Sequence, residues 1–167
     1  MNKDDRVLID SNAIIEAHRL RCWSNLFAFF SIETVEMCVL ECASGSRQLH
    51  RDYVPVDTCA LRQNAVVHTV NDVMRRELIC QEPSAIDIDD GERDLLAFAI
   101  TLPPNAFLIC SPDKACMKVA AKLGLLDRLV SLQALADRIG RGKLIFRRNY
   151  TEKWHRQQCT DILTELL

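Results

Sequence analysis

Glycine and proline are scarce, five residues each in a chain of 167. No glycine stands near the first predicted strand, Arg6 to Ile9, so the Gly-rich first turn of a dinucleotide-binding fold is missing. No apolar stretch reaches the ~18 uncharged residues of a membrane-crossing helix. Neither charge dominates: 21 Lys and Arg stand against 23 Asp and Glu, a net charge of −2. That excludes a uniformly basic protein that holds nucleic acid by bulk charge, but not a local basic patch. His18, His50, His68 and His155 show neither HxxH nor HExxH spacing and read as surface or packing residues. Cysteine is abundant, with eight residues, yet no CxxC pair occurs and no spacing fits a zinc ribbon or finger. The opening Met1-Asn2-Lys3-Asp4-Asp5-Arg6 is charged and does not read as a signal peptide. The expectation is a cytoplasmic protein whose cysteines are reduced and mostly buried.

What is present is alternation. The length fits one domain with a full core. Apolar runs predict strands over Arg6 to Ile9, Ser31 to Thr34, Ala106 to Cys110 and Leu129 to Leu132. Helical periodicity predicts a helix from Ser11-Asn12, a second around Trp23, Leu26, Phe27 and Phe30, and a third over Val35 to Ala43. His50 to Val56 reads as extended, and Asp57 as the cap of a helix containing Leu61 and Ala65. Further helices are predicted over Val70 to Cys80, Gly91 to Leu102, Asp113 to Leu123 with Gly124 as its cap, and from Leu132 to Ile139. Gln81 to Asp90 reads as a loop. Strands alternating with helices imply βαβ units, hence an α/β fold with a mainly parallel sheet.

The last thirty residues differ in composition. Between Arg138 and Arg156 stand Arg138, Arg141, Lys143, Arg147, Arg148, Lys153 and Arg156, against Glu152 alone, with Tyr150 and Trp154 interleaved. Residues 138–167 are therefore read as a basic extension packed on or next to the domain of residues 1–137. Two readings stay open: a solvated surface helix, or an arm that contacts phosphate through Arg147 and Arg148.

Chemistry in open α/β sheets collects at the carboxyl ends of strands. Here two predicted strands run into acids, Asp10 and Asp113, and two predicted helices between them carry Glu41 and Asp94. Carboxylates brought together without cations repel one another unless a metal ion sits among them, and oxygen donors suit Mg²⁺ or Mn²⁺. Plainer readings stand beside this one. Asp10 and Asp113 are good N-caps, and Glu41 and Asp94 fit solvated helix surfaces. Glu92, three residues after Asp89, fits a capping box and is a secondary candidate.

Taken in order, these segments resemble the PIN-domain family. Ile9-Asp10-Ser11-Asn12-Ala13-Ile14-Ile15 is similar to the family's opening strand and Asp-Thr/Ser-Asn turn. Thr34 to Cys42, with Glu41 before Ala43-Ser44-Gly45, resembles its second motif. Asp90 to Ala97 resembles the third, and Ser111-Pro112-Asp113 the fourth. The resemblance spans residues 7 to about 136. It implies a three-layer α/β/α fold and a Mg²⁺- or Mn²⁺-dependent ribonuclease acting on single-stranded or structured RNA. Asp10, Glu41, Asp94 and Asp113 would be its catalytic, metal-holding quartet, with Asn12, Ser111 and Glu92 around them. Many members are VapC-like toxins, so the implied partners are RNA, an antitoxin protein and a second copy of the chain.

Other classes fit less well. A dehalogenase-like phosphatase needs an Asp where Asn12 stands, and a receiver domain needs its acidic pair after the first strand, whereas Asp4-Asp5 precede it. The rival of a different kind is a PIN-like module that binds RNA or a protein partner with little or no cleavage.

Overall fold

The computed structural model describes residues 1–44 and 53–166. The chain runs β1 (Arg6–Ile9), α1 (Ser11–Arg19), α2 (Trp23–Phe29), β2 (Ser31–Val35), α3 (Glu36–Ser44), α4 (Thr58–Asn64), β3 (Val66–His68) and α5 (Asp72–Gln81). It continues through α6 (Asp90–Ala99), β4 (Leu108–Cys110), α7 (Lys114–Lys122), α8 (Leu132–Arg138) and α9 (Glu152–Leu166).

Among the described residues the four strands are all parallel, in the order β3-β2-β1-β4. β1 is interior, and Val7, Leu8 and Ile9 are fully buried, as a parallel strand covered on both faces requires. Successive side chains serve opposite layers. Val7 and Ile9 pack with Ile14, Leu26, Val39, Leu61 and Leu135 from α1, α2, α3, α4 and α8. Leu8 packs with Leu78, Leu95, Met117 and Ile162 from α5, α6, α7 and α9. The result is the expected three-layer α/β/α arrangement. Among the described residues, no helix is long and apolar enough to cross a membrane.

The differences from the sequence reading are local. β3 is an added strand, only three residues long, between two helices that were foreseen. The predicted strand at Leu129 reduces to one bridge with Ile109. Ser131 already caps α8 two residues later, its hydroxyl accepting from the Ala134 N–H at 3.0 Å, so no room is left for a ladder. The predicted loop before α6 contains a 3-10 turn over Pro83–Asp87. α6 stops at Ala99 rather than Leu102. Residues 50–52 of the predicted extended segment lie outside the described residues, and 53–56 have no regular structure. Gly124 closes α7 as expected, in the left-handed region at φ 76°. The basic tail is integral to the fold, since Ile162 of α9 shares a core with Leu8.

This strand order sets the position of any site. The chain leaves β1 on one side to form β2 and β3, then crosses back to lay β4 on the other. The switch point therefore lies between the carboxyl ends of β1 and β4, beside Asp10 and Asp113.

Candidate metal centre

Asp10 is fully buried where β1 ends. Its N–H donates to the Cys110 carbonyl at 3.0 Å, extending the β1–β4 pairing to the site itself. Its carboxylate accepts from the Asn12 N–H at 3.3 Å, so it also caps α1, and lies 3.4 Å from the Ser11 hydroxyl oxygen. Burial, and then the charge of Glu41, push the Asp10 carboxyl up to about 7.

Glu41 reaches the same place from α3. Its Oε2 accepts from the Ser11 hydroxyl at 2.6 Å and its Oε1 from the Gly91 N–H at 2.8 Å. Gly91 sits in the first turn of α6, where free N–H groups and the helix dipole favour an anion. Ser11 thus joins Asp10 to Glu41, a link that the sequence reading did not assign.

Of the two acids on α6, Glu92 rather than Asp94 lies beside Asp10, Glu41 and Asp113. Glu92 is 2% exposed, and its Oε1 is buried without a hydrogen-bond partner. Burial first, then the charges of Asp10, Asp113, Asp89 and Glu41, push it up to about 9. Asp94 is held elsewhere by Arg75, whose Nε donates to Oδ1 at 2.7 Å and Nη2 to Oδ2 at 2.8 Å. The reason is helical phase: two residues along a helix is a little over half a turn, so only one of the pair can face the sheet end. Asp94 instead fastens α6 to α5.

Asp113 completes the group and also caps α7. Both cap bonds fall on Oδ1, from Ala115 N–H at 2.6 Å and Cys116 N–H at 3.1 Å. Ser111 supports it, its hydroxyl oxygen accepting from the Asp113 N–H at 3.4 Å. The capping readings of Asp10 and Asp113 are therefore correct and coexist with their place in the cluster. The ion pairs of the described residues run elsewhere: Arg6 to Glu33, Arg19 to Glu16, Arg75 to Asp94.

Cys38 was also missed. Its Sγ lies 3.9 Å from Asp10 Oδ1 and 3.5 Å from the Gly91 carbonyl oxygen. Asp10, Cys38 and Glu41 each offer a donor atom, all within 4.8 Å of one another. Burial, then Asp10 and Glu41, push the Cys38 thiol well above its ordinary value. A signal for it existed: Cys38 and Glu41 are three apart on one helix, hence on one face.

In the tail, Arg147 and Arg148 part company. The Arg147 N–H donates to Glu16 Oε1 at 3.0 Å, and its Nε lies 3.9 Å from Oε2. Arg19 grips the same buried carboxylate at 2.6 and 2.7 Å. Burial alone would raise the Glu16 carboxyl, but these two arginines hold it below its usual value. Both arginines are exposed, but Arg147 is tied to a structural knot through its backbone N–H.

Searches against models of known families and against curated proteins found no match to the chain.

Proposed function

We propose that this protein is a metal-dependent ribonuclease of the PIN type, with Asp10, Glu41, Glu92 and Asp113 as its carboxylates. One observation carries the reading. Four acids from four separate elements converge at the switch point of a parallel sheet, and one of them, Glu92, keeps a buried oxygen without a partner. A fold rarely spends burial on unpaired carboxylates, because their repulsion opposes folding unless a cation offsets it. The donors are hard oxygens of the type that suits Mg²⁺ or Mn²⁺.

The residues divide the work. Asp10, Glu41 and Glu92 would hold the ion from the buried side, and half-buried Asp113 from the solvent side. Ser11 and the Gly91 N–H fix the Glu41 carboxylate so that it does not reorganise on binding. Exposed Asn12 and Asp89 stand at the rim, where a phosphodiester would approach. When bound, Mg²⁺ or Mn²⁺ offsets phosphate charge and acidifies water, the chemistry that phosphodiester hydrolysis requires.

The test is cleavage of a labelled single-stranded RNA with Mn²⁺, with EDTA, and with Asp10→Asn. Cleavage should vanish in EDTA and fall at least ~10²-fold in the variant, the scale of losing one electrostatic catalytic group. Full activity in EDTA or in Asp10→Asn would refute the reading. RNA retained without cleavage would favour a binding module.

A further inference from the structure

We propose that the centre is a mixed oxygen–sulfur site, in which Cys38 joins Asp10 and Glu41 to bind a thiophilic divalent ion of the Zn²⁺ or Co²⁺ class. This rests on the reading of the carboxylates as a metal centre, and adds a donor that hard ions do not call for.

The geometry suits such an ion. Oxygen and sulfur donors around one tetrahedral Zn²⁺, at ~2.0 and ~2.3 Å, lie about 3.5 Å apart. Cys38 Sγ is already 3.9 Å from Asp10 Oδ1, and all three donors are mutually within 4.8 Å. Small side-chain adjustments therefore close the set. The Cys38 Sγ hydrogen bonds to the Gly91 carbonyl oxygen and to Asp10 are long, at 3.5 and 3.9 Å, so little is lost when the sulfur turns to an ion. Independently, Glu92 beside Asp10 keeps a buried Oε1 without a hydrogen-bond partner, an oxygen that a cation would satisfy.

The neighbouring cysteine is a built-in comparison. Cys42 lies one helical turn on, but its Sγ approaches the Ser11 carbonyl oxygen at 3.8 Å, outside the three-donor set. Soft thiolate shifts preference away from Mg²⁺ towards Zn²⁺, Co²⁺ and Cd²⁺. Binding is a simple exchange: the Cys38 S–H bond breaks, an S–metal bond forms, and the proton leaves to solvent with no change of oxidation state. Zn²⁺ bound in this way would displace Mg²⁺ or Mn²⁺ and act as an inhibitor.

Co²⁺ alone is the probe, titrated into the metal-free full chain with exposed Cys59 and Cys80 changed to Ser as background. A near-ultraviolet sulfur-to-cobalt charge-transfer band should grow and saturate, then bleach when Zn²⁺ is added. Cys38→Ser and Asp10→Asn should abolish the band, and Cys42→Ser should keep it. Zn²⁺ affinity should fall at least ~10-fold in Cys38→Ser, since even an outer-shell partner carries that much. Mn²⁺ binding by the same variants, read by electron paramagnetic resonance, separates the two ideas and checks that Cys38→Ser is folded. Mn²⁺ bound without a Co²⁺–sulfur band, or a band that survives Cys38→Ser, overturns the sulfur donor alone. Neither ion bound by the unsubstituted chain overturns the metal centre as well.

Discussion

Glu41 occupies the space that a side chain on residue 91 would need. A Cβ at Gly91 would lie 2.6 Å from Glu41 Oε1 and 2.7 Å from its Cδ, so the flexible carboxylate would have to move. The absent side chain is what lets α3 and α6 bring a carboxylate onto a backbone N–H. Gly91→Ala should therefore expel Glu41 and break its bond to the Gly91 N–H. Mn²⁺ affinity by calorimetry should fall at least ~10-fold. Thermal stability should change little, because alanine's helix propensity returns up to ~1 kcal/mol of what the displacement costs. Unchanged affinity would show that Glu41 is not a ligand.

The metal-free protein should lose stability as pH rises through neutrality. Asp10 and Glu92 have folded values near 7 and 9, against about 4 when unfolded. A raised acid binds its proton longer in the folded state, so the penalty is absent below about pH 4 and complete only above the folded value. Glu16, whose value is lowered, acts the other way, but its contribution is already complete by about pH 5. Half-buried His18 and buried His155, whose values burial lowers, also act the other way, but only up to about pH 6.5. Between pH 7 and 9 the melting temperature in EDTA should fall, by about 2–4 °C for each kcal/mol lost in a chain of this size. Saturating Mn²⁺ should flatten the fall. A melting temperature in EDTA that holds level or rises over this range would contradict the acid cluster.

Glu92 and Asp94 should respond in opposite senses. Glu92→Gln removes a carboxyl whose ionisation burial and the neighbouring acids oppose, so the EDTA melting temperature rises while the Mn²⁺-induced shift shrinks. Asp94→Asn removes the charge and one of the two acceptors facing Arg75 and lowers stability by roughly 1–2 kcal/mol, since Arg75 is partly solvated. Its Mn²⁺ shift should match the unsubstituted chain. Equal Mn²⁺ shifts in both variants would return the third acid to open question. Asp113→Asn should behave like Glu92→Gln, because Asn caps a helix as well as Asp does.

The two neighbouring arginines of the tail should also separate. Arg148→Ala should leave stability unchanged and flatten the salt dependence of RNA binding by roughly 0.7 in slope, one phosphate contact on a single strand. Arg147→Ala should lower the melting temperature slightly, because buried Glu16 keeps the backbone N–H of residue 147 but loses the guanidinium 3.9 Å away. A salt slope untouched by Arg148→Ala would make the tail solvated surface.

The fold was legible because buried parallel strands write themselves as short, uniformly apolar runs. Val7-Leu8-Ile9 and Leu108-Ile109-Cys110 could be read directly, with Asp10 and Asp113 marking where each strand ends. β3 could not, because three residues carry no period and Val66 is exposed. The choice between Glu92 and Asp94 turned on helical phase. A start one residue earlier, at Asp90, and a buried face shared with Leu95, Leu96 and Ala99 put Glu92 inward. Cys38 was hidden by its own chemistry: among apolar neighbours it reads as core, and only the fold shows that this piece of core adjoins two carboxylates. Arg147 read as a free cation because its partner, Glu16, is far away along the chain.

The strand order has a consequence for the nascent chain. β1 receives its last neighbour, β4, only after about a hundred further residues have been made, and the Asp10 N–H pairs with Cys110 of that late strand. A chain stalled on the ribosome before this point holds three of the four acids but not the strand that seats the first. Ordering so distant a contact is slow, and here it also works against the acids' mutual repulsion. The four acids therefore come together only once β4 is in place, and divalent ions should speed its final docking when refolding is timed with and without Mn²⁺.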